Sequence, residues 1–146
     1  MHAHTLAHPA FGRSAAPSAK LYSNVGVETS VVDASPHKLV ALLFDGFFES
    51  VGHAKAAIAA RDTEAKGRAI GRAARIIEEG LKASLDLKAG GALAADLGDL
   101  YAYIGVRLTQ ANLRHDLAAL DECLALMQPL RDAWASIGRQ VDGPRG

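Results

Sequence analysis

Few side chains in this sequence stand where they could do chemistry together. Glu49 and His53 are four residues apart, so on a helix they share a face, yet a metal site there needs further ligands that the sequence does not supply. A di-metal carboxylate bundle requires Glu-x-x-His pairs projecting inward from facing helices, and no such pair occurs. His2, His4 and His8 form a tract able to hold a transition metal weakly, although an uninvolved tail is the simpler reading. There is no Cys-x-x-Cys, no phosphate loop and no nucleophile elbow. Gly90-Gly91 is followed by helical pattern but lacks the preceding strand and the Lys-Ser/Thr pair of a phosphate loop. Cys123 lies in an apolar helical stretch and reads as core filling. As the only cysteine it excludes an intramolecular disulfide and agrees with a reducing compartment. The expectation is a protein with no catalytic residue, no metal and no cofactor, and so not an enzyme.

Charge points the same way. Arg61, Lys66, Arg68, Arg72 and Arg75 make one helix locally basic, but Glu64, Glu78 and Glu79 lie close by, and Arg75 with Glu79 is a natural surface pair. Over the whole chain 16 basic residues balance 16 acidic ones. No long-range field is expected to draw in nucleic acid or an anionic membrane. No apolar run approaches the roughly 18 residues of a spanning helix. The start, Met1 to Pro9, lacks the basic cluster and apolar segment of a secretory signal, so the expected location is the cytoplasm.

The elements that must carry any function are helical. Hydrophobic residues make up 49% of the chain and aromatics only 5%, so Leu, Ile, Val and Ala build the interior, a mix that favours helix over sheet. Residues 1–21, with Pro9, Gly12 and Pro17, read as a disordered tail, and residues 22–34 as a mobile segment whose Tyr22, Val25, Val27, Val31 and Val32 seek a surface. Ser35-Pro36 places a capping hydroxyl beside a proline at the first helical position. From there to about Ala60, Leu39, Leu42, Leu43, Phe47, Val51, Ala54 and Ile58 mark one stripe, widened by Phe44 and Phe48. Asp62 caps a second helix carrying Ile70, Ala73, Ile77, Leu81 and Leu85, expected to stop near Gly90-Gly91, where glycines permit a left-handed terminus.

A third helix from about Ala92 carries Leu93, Leu97, Leu100, Ile104, Leu108 and Ala111 on one face, with Tyr101 and Tyr103 flanking it. Asp116 opens a fourth with Leu117, Leu120, Leu124, Met127, Trp134 and Ile137, in which Pro129 should produce a kink. Residues 139–146 read as a frayed end. Short connections between helices of similar length predict an all-α fold, an antiparallel four-helix bundle over residues 35–138. Gly46, Gly52, Gly67, Gly71, Gly80, Gly98 and Gly105 lie inside helical pattern, each costing about 1 kcal/mol relative to Ala. They are either tolerant surface sites or points of close approach.

The first helix has more apolar width than a four-helix core needs. Leu39, Leu42, Leu43, Phe44, Phe47 and Phe48 cover a broad arc, which points to a dimer interface or a groove for a helical or extended peptide. The Tyr22–Val32 segment is then an intramolecular cover for that groove, displaced by a partner.

At these residues the chain resembles the flagellar secretion chaperone family, the FliS proteins. The matching pieces are Tyr22, Val25, Val27-Glu28-Thr29 and Ala34-Ser35-Pro36-His37-Lys38-Leu39, then Leu42-Leu43-Phe44-Asp45-Gly46, Ile76-Ile77 and Ser84-Leu85-Asp86. Gly90-Gly91, Leu97, Leu100-Tyr101-Ala102-Tyr103, Leu108, Ala111-Asn112, Asp116 and Leu130-Arg131-Asp132-Ala133-Trp134 follow in order. The resemblance implies a four-helix bundle with a mobile N-terminal segment over a hydrophobic surface. It implies an export chaperone that binds the disordered C-terminal region of flagellin one-to-one, prevents premature polymerisation and supports delivery to the flagellar type III export apparatus. Further partners implied are an export gate component and a flagellar anti-sigma factor.

Carried over, Tyr22 and Val25 belong to the gating segment. Phe44, Asp45, Leu97 and Tyr101 belong to or support the client surface, together with Leu39, Leu43 and Phe48 of the broad first-helix arc. Ser35, Pro36, Gly90 and Gly91 are structural; Asn112 and Asp116 shape the last connection, and Trp134 packs core. Phe44 stands where the family usually has tyrosine, and Ala92 where an acidic residue often follows the paired glycines; Pro129 and the long His-containing N-terminus also depart from the pattern. The alternative is a homodimeric helical regulatory or adaptor protein of flagellar assembly acting through the same apolar surface.

Overall fold

Helix begins where the sequence sets a hydroxyl beside a proline. In the computed structural model, which describes residues 34–141, Ser35 Oγ accepts a hydrogen bond from the Lys38 N–H at 3.1 Å and Pro36 opens helix α1, Pro36–Ala59. The expectations for residues 1–33, Tyr22 and Val25 among them, and for the residues after Val141 lie outside the described residues. A three-residue turn follows, with Arg61 at φ +57°. Asp62 Oδ1 then accepts from the Ala65 N–H at 3.0 Å and starts α2, Thr63–Arg75. Ala65 cannot return the bond that a capping-box Glu or Gln would make.

The second helix departs from its expected extent. It widens into a π-helical segment, Ile76–Leu81, closed by Lys82 N–H donating to Ile77 O at 2.7 Å, and a turn follows in which the buried Ser84 hydroxyl donates to Gly80 O at 2.7 Å. Asp86 then caps a new helix through the Ala89 N–H at 3.0 Å, opening α3, Leu87–Arg114. Gly90 and Gly91 therefore do not end the second helix. Gly91, at φ 55° and ψ −135°, breaks α3 near its start, a conformation suited to a residue without Cβ. Asp86, an acceptor able to cap a helix, overrides the stop signal of the glycines.

His115, left-handed at φ 54°, ends α3 with its N–H on Ala111 O. Asp116 Oδ1 accepts from the Ala119 N–H at 3.1 Å and starts α4, Leu117–Val141, which continues as one helix across Pro129. The connections are short, so successive helices run antiparallel. α1 lies against α2 and α4, and α3 against α2 and α4, which makes a four-helix bundle with no strand among the described residues.

The core is mainly aliphatic, with a few aromatic rings: Leu43, Phe47, Val51, Ile76, Leu81, Ile104, Leu108, Leu120 and Met127 are buried, with Cys123 beside them. Two glycines mark close approach. A Cβ at Gly80 would stand 2.9 Å from both Leu43 methyls, and one at Gly138 would run into the His37 ring. Gly52, Gly67 and Gly105 face open space, so the helical glycines divide between the two readings that the pattern permits. Lys66 and Arg72 tie the helices further. Lys66 Nζ donates to Asn112 O at 2.6 Å, and Arg72 donates to the buried Ser50 hydroxyl at 2.6 Å.

Candidate functional site

The broad apolar arc of α1 divides into an inner and an outer part. Leu43 and Phe44 point into the bundle, where Leu97 and Tyr101 of α3 are also buried. Leu39, Leu42 and Phe48 remain half-buried, and Asp45 is exposed. Tyr101 is wholly enclosed, and its hydroxyl has no hydrogen-bond partner among the described residues. Burial pushes its ionisation well above the ordinary tyrosine range, because a phenolate there would lose its hydration.

The outer part forms a seam with α4. Arg131 donates to Asp45 Oδ1 at 2.7 Å and lays its guanidinium over the Phe48 ring, 4.6 Å from its centre. Phe48 in turn meets Phe47 edge-on at 5.9 Å, which joins the seam to the core. At the N-terminal end of α1, His37 stacks on Trp134 with centroids 4.5 Å apart. The same two residues exchange backbone contacts: Trp134 Nε1–H donates to His37 O at 3.0 Å, and His37 Nε2 lies 2.7 Å from Trp134 O. Because that carbonyl can only accept, His37 carries hydrogen on Nε2. Half-buried Leu126 and Leu130 of α4 lie against the core beside this seam.

α3 presents a second apolar surface. Tyr103, Val106 and Leu113 are exposed, with Leu117 following at the start of α4. Spacings of three and seven residues place Tyr103, Val106 and Leu113 along one flank of α3. Tyr103 Oη donates to Glu122 Oε2 at 2.6 Å, and Arg107 Nε donates to Glu122 Oε1 at 2.6 Å. The bond to Glu122 raises the Tyr103 ionisation, and the bonds from Tyr103 and then Arg107 hold the Glu122 carboxyl below its usual range. This clasp fixes α3 on α4 beneath the exposed flank.

Several positions fall away from their expected faces. Leu93, placed on the inner stripe of α3, is 62% exposed, because it lies in the first turn after the Gly91 break. Ile137 and Leu117 of α4 are largely exposed too. Tyr101 and Tyr103, grouped as flanking residues, part company: one is enclosed and the other open. Arg131 is brought to Asp45, 86 residues away, and to Phe48 by the packing of α4 on α1, a contact with no local sequence signal. Val106 and Leu113 were detectable as apolar residues off the main stripe. Glu49 pairs with Arg72 at 3.4 Å, and His53 is exposed. Among the described residues no group of three or more His, Cys, Asp or Glu is placed to hold a metal, and no helix is long and apolar enough to cross a membrane.

Comparison with known proteins covers this whole architecture. The family model described as flagellar protein FliS matches residues 18–141, from before α1 to the end of α4. The flagellar secretion chaperone FliS of Salmonella typhimurium is 43% identical over 118 residues, which is 81% of this chain and 87% of that protein. The protein of that name in Escherichia coli is 40% identical over 82% of this chain and 88% of its own length. The one in Bacillus subtilis is 33% identical over 73% and 78%. With all four helices inside the match and this degree of identity, the chain belongs to the FliS family of flagellar proteins.

Proposed function

We propose that this protein is a non-enzymatic flagellar export chaperone that binds the disordered C-terminal region of flagellin, prevents its premature polymerisation and supports its delivery to the flagellar type III export apparatus. The observation that carries the reading is family membership across the entire bundle, with relatives named as flagellar secretion chaperones over most of their length. The surface chemistry supports it. A helical protein with half-buried Leu39, Leu42 and Phe48 on one seam and exposed Tyr103, Val106 and Leu113 on another offers two long apolar tracks. A disordered segment with an apolar face gains order by laying that face along such tracks, at an entropy cost that keeps affinity moderate and release feasible.

In this reading Leu39, Asp45 and Phe48 touch the client at the α1–α4 seam. Leu43, Phe44, Leu97 and Tyr101 support that surface from below and fix its shape. Arg131 lies over Phe48 in the free chain and moves aside as the client arrives. Tyr22 and Val25 belong to a segment that covers the seam until then. An export gate component and a flagellar anti-sigma factor are further partners.

Size-exclusion chromatography with light scattering, using flagellin with and without its C-terminal segment, tests the client assignment. A one-to-one complex that forms only with the segment present is expected. A concentration-dependent dimer of the free chain, unchanged by flagellin, would favour the adaptor reading instead. Hydrogen exchange tests the cover: residues 22–32 should lose protection on client binding, and equal protection in both states would refute displacement.

A further inference from the structure

At the end of the bundle where α1 stops and α3 meets α4, a cavity of about 350 Å³ opens between Ile58, Arg61, Thr63, Lys66 and His115. Its chemistry is unlike the rest of the molecule. Lys66 is 2% exposed, yet it makes no ion pair among the described residues. Its ammonium donates to Asn112 O at 2.6 Å and to His115 Nδ1 at 2.9 Å, which uses two of its three N–H bonds. Accepting from Lys66 leaves His115 with its hydrogen on Nε2, as a second donor.

Arg61 stands on the same wall. Its backbone is left-handed at φ 57°, uncommon for a residue with a long side chain, and its guanidinium has no acceptor among the described residues. The single carboxylate lining the cavity, Asp62, has Oδ1 committed to the Ala65 N–H. Two cations thus share a concave site with one counter-charge, and one of them is almost wholly withdrawn from water, an arrangement that favours an incoming anion.

We infer that this cavity is an oxyanion subsite, taking a carboxylate or a phosphate, with Lys66 and Arg61 as the charged contacts, Thr63 and His115 as neutral donors, and Ile58 as an apolar wall. It lies at the end of the bundle and does not depend on the client assignment. The match of guanidinium and ammonium to a planar or tetrahedral oxyanion is the chemistry that recognises the ligand.

Two-dimensional NMR of the full chain tests the inference. Sodium phosphate and sodium acetate are titrated separately against sodium chloride at matched ionic strength, near pH 7.5, where phosphate is largely dianionic. Saturable shifts confined to residues 57–66 and 112–116 are expected with one or both oxyanions. The arm that saturates tells carboxylate from phosphate. Arg61→Gln, an exposed turn position outside the core, should weaken the response by roughly tenfold while the remaining spectrum stays unchanged. Lys66→Met should abolish it; if loss of the Asn112 contact prevents that variant from folding, Arg61→Gln carries the test alone. Shifts that never saturate, that chloride reproduces, or that persist unaltered in Arg61→Gln would overturn the subsite.

Discussion

Replacing Tyr101 by Phe should make this protein more stable. The hydroxyl is enclosed and unpaired among the described residues, so folding strips its water and returns no hydrogen bond. Measured costs for such a group run to about 1–3 kcal/mol. Deleting one oxygen also forfeits a little packing, so the net gain expected is about 1–2 kcal/mol. For a chain of 146 residues that corresponds to a rise in Tm of about 2–8 °C.

Alkaline titration gives a second readout of the same site. The folded-state ionisation of Tyr101 lies above its unfolded value of about 10, so titration of this group leaves stability unchanged below that pH. Stability is lost as pH rises from there toward the folded value, because the unfolded chain ionises first. Tyr101→Phe removes this loss, and the gap between variant and parent in urea midpoint should widen above pH 10. Equilibrium urea unfolding across pH, with circular dichroism at each step, measures both effects. A lower midpoint for Tyr101→Phe at neutral pH would refute the reasoning, because it would mean that the hydroxyl has a partner in the whole protein.

Other expectations rest on separate contacts. Gly80→Ala places a methyl against Leu43 and should destabilise by about 1–2 kcal/mol despite its better helix propensity. Combined with Leu43→Ala, which alone costs about 2–5 kcal/mol, it should lose much less than the sum, and additive losses in thermal melts would contradict the close approach. The Cys123 thiol is buried and pushed up to about 11, so a thiol reagent at pH 8 should label it only as fast as the protein opens; rapid labelling of native protein would show a different site. Phe48→Ala should weaken flagellin-segment binding by about tenfold or more, with a smaller stability loss than the about 3–5 kcal/mol expected for buried Phe47→Ala. Equal binding by Phe48→Ala and the parent would remove the α1–α4 seam from the client surface.

Much of the architecture was legible because local signals agreed with one another. Ser35-Pro36, Asp62 and Asp116 each cap a helix in the structure, and the apolar stripes of α1, of the second helix from Ile70 to Leu81 and of α3 from Leu97 to Ala111 largely face inward. The stretch from Ile76 to Gly91 was not legible in the same way. Periodicity runs on through a π segment, since one wider turn barely disturbs the apolar spacing. Paired glycines stand close to the capping aspartate that in fact starts α3. The apolar tracks were readable as excess width on α1, but how that width divides was not. Phe44 and Phe48 differ by one turn and look alike in sequence, yet one is enclosed by the bundle and the other is half-buried at its edge, with Arg131 of α4 over its ring. Lys66 and His115 lie 49 residues apart and meet only because the α1–α2 and α3–α4 connections share one end of the bundle.

The most direct test of the chaperone account is calorimetric titration of the purified full chain with the C-terminal segment of its cognate flagellin at several temperatures. The account predicts saturable one-to-one binding with a negative heat-capacity change, the mark of apolar surface buried as the segment orders. A folded, monodisperse protein that gives no binding heat at any temperature would contradict it.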